Sequence, residues 1–264
     1  MLFNVAYEAW SDGKGPGIGP MGNPLPAGHF DTNALSWGNY GPIRGIGRLL
    51  ECLARQDVKA SVMVSGVLAE RYPETVAVIA GAGHEIVAHA FAQDVIPATL
   101  SDAQVREDIA KTTRALARVA GSAPKGWISP RGTPSMISAG ALSEAGYLWH
   151  GDAFDDDLPY IQHFGERTIV AIPLTMEVND LPHSVRYGNS PSEFVALFRD
   201  ALDRARTQDS AAMIDVTAHA HVFGRPSGAG AFEAVLELAK ASGELWIGTR
   251  LAAAQHVNTA LGRS

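Results

Sequence analysis

The sequence predicts an α/β protein, a distorted (β/α) barrel of about seven to eight parallel strands, on three observations. Short β-rich runs alternate with helical patterns from end to end of the 264 residues, and strict alternation implies parallel strands joined by crossover helices. A composition 46% hydrophobic and 19% charged supplies a core for one large domain. Ionisable residues recur at the ends of the strand-like runs, which is where a parallel barrel carries its chemistry. An open doubly wound sheet is the alternative arrangement of the same elements. No linker rich in Pro, Gly or Ser divides the chain, so a single domain spanning 1–264 is expected.

Each element has its own local reason. FNVAYEA reads as the first strand and RGIGRLLECLARQD as a helix. VKASVMVS is a strand, LAERYPETVAVIAGAG a helix ended by glycine, and EIVAHA a short strand. The amphipathic SDAQVREDIAKTTRALARVAG opens with Ser101 and carries Gln104 three positions later, which is capping-box spacing. KGWISP, YLWHGDA and TIVAIPLTME follow as strands, with the helical SMISAGALSEAG between the first two. Ser190, Pro191 and Glu193 give the next helix its cap, its first turn and its third position. The strand AAMIDVTAHA, the helix AFEAVLELAKAS, the strand ELWIGT and a final helix complete the series. DGKGPGIGPMGNPLP, from Asp12 to Pro26, reads as a long loop; no Gly-Lys-Ser/Thr follows its glycines, so it is no phosphate cradle.

Composition excludes several function classes. A net charge of −7 without any Lys/Arg cluster argues against a nucleic-acid partner. Cys52 is the only cysteine, so no intrachain disulfide forms, and its helical run makes it a core residue. MLFNVAYEAW has neither a basic start nor a long apolar stretch, and no window approaches about 18 apolar residues. A cytoplasmic protein without membrane contact, acting on a small molecule, is the expectation.

The informative residues are Glu8, His89, Arg131, Asp152, Glu177, His219 and His221, each at the end of a strand-like run. Stability alone has no need of so many ionisable groups along one rim. His84-Glu85 followed by His89 is not the zinc-protease pattern, because that pattern needs two histidines four apart on a helix. Five apart along a strand, the two rings face opposite ways. His84 is read as structural and His89 as functional.

Together these segments resemble the polysaccharide-deacetylase superfamily, and within it the allantoinase-like and cyclic-imidase-like branch. The likeness runs through NYGPIRGIGRLLECLARQDVKASVMVSG, AERYPETVAVIAGAGHEIVAH, GWISPRGTPS, DDDLPY, VNDL and HAHVFGRP, in the family's order. Two departures stand out. Metal-dependent members carry paired aspartates after the first strand, where this chain has Glu8 followed by Ala9. They also carry a His-x-x-x-His pair, where this chain has His89 and Gln93. Neutral amide oxygen is a poor zinc ligand beside imidazole and carboxylate, so no metal and no cofactor is expected; if a divalent ion such as zinc binds, it does so near His89.

The resemblance implies roles. Glu8 becomes the general base in an apolar setting beside Trp10, and His219 the acid that protonates the leaving nitrogen. Arg131 orients Glu8 or holds a carbonyl, and His89 positions substrate or water. Trp127, Phe91, Glu177, His221 and Gln93 are candidate substrate contacts. For His221 the strand is read as turning the ring away from His219, which leaves a structural role as its equal; Trp127 and Phe91 have packing as theirs. The run Asp155–Asp157 is read as a solvated loop with a capping or subunit-contact role, and Asn179-Asp180 as turn chemistry with substrate contact as the alternative. His29, His150, His163, His183 and His256 show no partner pattern.

Without a metal, general acid–base catalysis contributes about 10²- to 10⁴-fold, which is thin for an unactivated acetamide. A ureide or imide carbonyl is more electrophilic, so a metal-independent ring-opening hydrolase of small cyclic amides is the leading reading. A metal-dependent N-deacetylase of an acetylated sugar or polysaccharide, and an inactive ligand-binding barrel, are the alternatives. The resemblance also implies a homodimer or homotetramer.

Overall fold

The computed structural model describes residues 1–17, 19, 25–26 and 28–261. The expected Asp12–Pro26 loop therefore lies partly outside the described residues. In chain order these form β1 (Leu2–Tyr7), α1 (Thr32–Tyr40), α2 (Ile46–Arg55), β2 (Ser61–Val64), α3 (Gly66–Arg71), α4 (Pro73–Gly81) and β3 (Glu85–Ala88). There follow α5 (Asp102–Ala120), β4 (Gly126–Trp127), α6 (Ser138–Glu144), β5 (Trp149–His150), β6 (Tyr160–Phe164), β7 (Arg167–Ala171), α7 (Pro191–Arg206), β8 (Asp215–His219), α8 (Pro226–Ala241) and α9 (Arg250–Ala260). The α/β alternation expected from the sequence is present. The described residues fall into two compact units, 1–60 with 175–248 and 61–174 with 249–264.

In the first unit, β1 and β8 pair in parallel with Leu2 opposite Asp215 and Ala6 opposite His219. All six β1 residues are buried, and Phe3 meets Phe232 of α8 edge to face at 6.0 Å. The core of this unit also takes Leu49, Cys52 and Leu53 from the apolar stripe of α2 and Phe194 and Phe198 from α7. Cys52 is buried as expected, its thiol 3.7 Å from the Ala229 carbonyl. Two glycines fix the turn that follows His219. A methyl on Gly45 or Gly224 would overlap the carbonyl oxygen of Ala220, so backbone packs on backbone where no side chain fits.

In the second unit β2, β3, β4, β5 and β7 pair in parallel, and β6 joins antiparallel to β7 with Tyr160 opposite Ala171. Ser101 and Gln104 form the capping box of α5, and Gly121 ends that helix in the left-handed region at φ 80°. In the first unit Ser190 and Glu193 do the same for α7.

Several elements differ from the sequence expectation, among them α1, which it did not contain. The helix read over LAERYPETVAVIAGAG is two helices, α3 and α4, parted at Tyr72-Pro73: the residue before proline is pushed out of the helical region, and Tyr72 sits at φ −138°, ψ 55°. ELWIGT is no strand; its sole ladder contact is a bridge from Gly248 to Leu2. β6 was absent from the expectation because YIQHF is half exposed and its pattern is polar, while the hairpin to β7 is made by Gly165 at φ 61°. No helix among the described residues is long and apolar enough to cross a membrane.

Candidate functional site

Strand register assembles the first group of residues. Ala6 and His219 are directly paired, and Glu8 and His221 each lie two residues further on. Both lie just past the ends of their strands, since β1 stops at Tyr7 and β8 at His219. Glu8, 8% exposed, sits between the two histidines: Oε1 is 3.8 Å from His219 Nε2 and Oε2 is 3.5 Å from His221 Nδ1. The reading that turned His221 away from His219 is thus corrected. The strand ends at His219, the chain turns, and the two rings stand 5.7 Å apart, edge to face. Trp37 and Trp10 close on the His221 ring at 4.6 and 5.7 Å.

Asp180 holds the far side of His219. Its carboxylate is fully buried; Oδ1 accepts from His219 Nδ1 at 2.6 Å, and Oδ2 accepts from the backbone N–H groups of His219 at 2.7 Å and Phe223 at 3.1 Å. Sequence reasoning gave Asp180 to turn chemistry, and that role belongs to its neighbour, because Asn179 Oδ1 accepts from Leu181 N at 3.1 Å. The signal that separates the two is a single bridge: Asn179 joins the ladder beside Thr217, which delivers the next residue to the end of β8.

Electrostatics divide the two histidines. Burial pulls His219 down, but Asp180 and then Glu8 overcome it and raise its pKa to about 9. Burial pushes His221 down to about 4, against Glu8, so it is neutral at pH 7. Nδ1 of His221 is buried without a hydrogen-bond partner. One carboxylate therefore faces an imidazolium held by a second carboxylate and a neutral imidazole boxed in by tryptophans. Such a set can accept a proton from water and deliver another to a leaving group.

The second unit holds the remaining candidates except Glu177, which lies in the first. His89 follows β3; its Nδ1 lies 2.6 Å from the Ile128 carbonyl and donates to it. Gln93 Nε2 donates to Ser65 Oγ at 3.0 Å and to the His89 carbonyl at 3.3 Å, so the amide braces the turn that carries His89. A His-x-x-x-His metal pair does not fit these residues. Among the described residues no group of three His, Cys, Asp or Glu is placed to hold a metal ion.

Arg131 is exposed in the turn Pro130–Gly132, at φ 59°, ψ 14°. Phe91 is half-buried, with Lys111 Nζ 3.3 Å above its ring and its N–H donating to Asp108. Trp127 is 1% exposed, donates to Ser129 Oγ at 3.1 Å and meets Tyr147 edge to face, so it packs and offers a ligand no surface. Glu177 does not end a strand: β7 stops at Ala171, and Glu177 is exposed in a later turn. Asp152 follows β5 and accepts from Ser129 N and Oγ at 2.7 and 2.6 Å. In the acidic run, Asp155 accepts from Tyr160 at 2.8 Å and Asp156 from Leu158 N at 3.0 Å.

Comparison with known proteins gives this geometry a context. Residues 39–149 match the family described as polysaccharide deacetylase. A peptidoglycan deacetylase of Helicobacter pylori is 24% identical, with 92% of each chain covered. The crystal structure of a probable polysaccharide deacetylase from Pseudomonas aeruginosa PAO1 superposes with a TM-score of 0.87 at 26% identity, covering 98% of this chain and 90% of that one. PuuE allantoinase superposes at 0.88 with 25% identity, covering 98% and 89%. The α/β fold, with eight strands among the described residues, is thus of the deacetylase type expected from the sequence.

Proposed function

From a hydrolase of the polysaccharide-deacetylase type, acting on carbon–nitrogen bonds other than peptide bonds, we propose an enzyme that opens a small cyclic ureide or imide with Glu8 as base and His219 as acid. The observation that carries the reading is the Asp180–His219–Glu8 line, with one short charge-assisted contact of 2.6 Å and one gap of 3.8 Å. A gap of that length is too long for a direct hydrogen bond and within reach of one bridging water.

The chemistry balances on these residues. Glu8 takes a proton from the water as its oxygen attacks the ring carbonyl. The tetrahedral intermediate collapses as His219 Nε2–H protonates the leaving nitrogen, and the C–N bond breaks. The proton on Glu8 then returns to His219, which Asp180 favours by stabilising the imidazolium. His221, neutral and next to Glu8, keeps the base from pairing with a second cation. Ring activation supplies what this set lacks, since the leaving nitrogen of a ureide or imide is stabilised by its second carbonyl. His89, Arg131, Phe91 and Gln93 are assigned to holding substrate or bracing the turn that does so. We also propose one catalytic domain over 1–264, a cytoplasmic enzyme that needs no metal, and a homodimer or homotetramer, which light scattering on the purified protein tests.

Similarity to a peptidoglycan deacetylase over 92% of both chains favours a second reading, N-deacetylation of an acetylated sugar. A hydrolysis screen separates the two. Turnover of allantoin, hydantoin, succinimide, glutarimide or a dihydropyrimidine supports ring opening; turnover of N-acetylated sugars alone overturns it.

A further inference from the structure

Folding gathers in one place, within the first unit, arginines that are scattered along the chain. α1 runs through a π-helical turn, Gly41–Gly45, into α2. A methyl added to Gly224 would overlap Gly45 Cα, so backbone lies on backbone there. Across that contact Arg48 Nη1 donates to the Gly224 carbonyl and, at 2.9 Å, to the Tyr40 hydroxyl. Arg225, the next residue, lays its guanidinium over the Tyr40 ring at 4.1 Å. Two cations therefore share one tyrosine, one at its hydroxyl and one on its face, and all three side chains are half-buried. Arg44, exposed in the π-helical turn, adds a third charge nearby.

Nothing in the surrounding elements balances these charges. α1 and the π-helical turn contain no acid. The carboxylates of α2 and α8 are engaged elsewhere: Glu51 and Glu233 pair with Arg55, and Glu237 accepts from Gln56. Among the described residues no carboxylate lies within ion-pair distance of Arg44, Arg48 or Arg225. Arg225 is also the N-cap of α8, the positive end of the helix dipole, where a cation is disfavoured. The donors are unsatisfied as well. Neither the Arg225 guanidinium nor Nε and Nη2 of Arg48 meets an acceptor among the described residues, and Tyr40 accepts from Arg48, which leaves its own O–H to donate.

We propose that Tyr40, Arg48 and Arg225 form a binding site for a phosphate group, whose oxygens accept from the two guanidiniums and the tyrosine O–H. Guanidinium edges match phosphate oxygens with paired, charge-assisted bonds. The Tyr40 O–H lies in the plane of its ring and Arg225 above it, so the donors suit a tetrahedral anion better than a flat carboxylate. The positive excess is local in a chain of net charge −7, which admits a small anion and repels a polyanion. The site does not depend on the ring-opening reading, because its test reads binding and not hydrolysis.

The test uses the full chain with labelled arginine, titrated at fixed ionic strength with inorganic phosphate, methyl phosphate and acetate. Saturable movement of the Arg48 and Arg225 side-chain signals by phosphate is expected, with affinity rising as pH rises and the anion takes its second charge. Acetate is expected to bind about tenfold more weakly or worse. Arg225→Met is expected to weaken phosphate binding by about tenfold or more, and Tyr40→Phe, which keeps the ring beneath Arg225, by about threefold or more. Methyl phosphate binding as tightly as inorganic phosphate identifies a phosphate monoester as an acceptable source; binding of inorganic phosphate alone identifies the free ion. Acetate binding as tightly as phosphate, unchanged affinity in both variants, or no saturable binding overturns the proposal.

Discussion

Asp180 grips His219 twice, taking the ring N–H on one oxygen at 2.6 Å and the backbone N–H of the same residue on the other at 2.7 Å. The carboxylate thereby fixes ring orientation and tautomer together, with Nε2 turned toward Glu8.

The expected outcome of Asp180→Asn follows from that grip. The basic limb of kcat/KM is expected near pH 9, where His219 loses the proton it must deliver. Removing the Asp180 charge moves the limb to lower pH and lowers turnover by on the order of 10²-fold or more. A limb that stays in place in the variant removes His219 as the acid.

Asp180→Ala adds a folding cost, because the N–H groups of His219 and Phe223 lose a buried acceptor. A loss of about 3–5 kcal/mol is expected in urea unfolding. For the wild type, the sign of the pH dependence is set by His219. Its pKa is raised by folding, so its contribution is full below about 6.5 and fades as pH climbs through about 9. His221 acts in the other direction: its pKa is lowered, so the stability it brings is present above about 6.5 and is lost toward about 4.

Glu8→Gln keeps shape and removes the base. Turnover of the cyclic amide is expected to fall about 10²- to 10⁴-fold with little change in KM. Near wild-type kcat would falsify the assignment.

Chelation separates the two substrate readings by another route. Cyclic-amide turnover is expected to survive prolonged treatment with a chelator, and elemental analysis of active protein to find substoichiometric zinc. Activity lost on chelation and restored by zinc would instead bring the metal-dependent N-deacetylase forward.

Asp108 makes a prediction away from this chemistry. It is buried in α5, accepts from Phe91 N at 3.0 Å, and has its second oxygen without a partner. Burial raises its pKa to about 6, so the fold favours the protonated form, and stability is expected to fall as pH rises from about 4 to about 6. In Asp108→Asn that part of the slope disappears, measured by urea midpoints across the range.

How much of this could be read in the sequence depended on whether a residue declares its geometry locally. The α5 and α7 caps were legible because Ser101 with Gln104, and Ser190 with Glu193, are local pairs that the structure reproduces. Glu8 and His219 were legible as strand-end ionisable groups, and strand register brings them together. Asp180 was not, because an Asx turn at Asn179 and a buried carboxylate at the next position look alike until the Thr217 bridge is known. ELWIGT failed for the opposite reason: its apolar residues suggest a strand, yet Trp246 is 57% exposed and only Gly248 reaches a ladder. His150 offered no sequence pattern because its partner Gln162 is set by the β5–β7–β6 pairing.

Gly45 and Gly224 leave the carbonyl of Ala220 no room for even one added methyl. The position of the His221 imidazole is consequently dictated by two residues that own no side chain and touch no substrate. At that crossing even the smallest substitution would move a histidine before it changed a pocket.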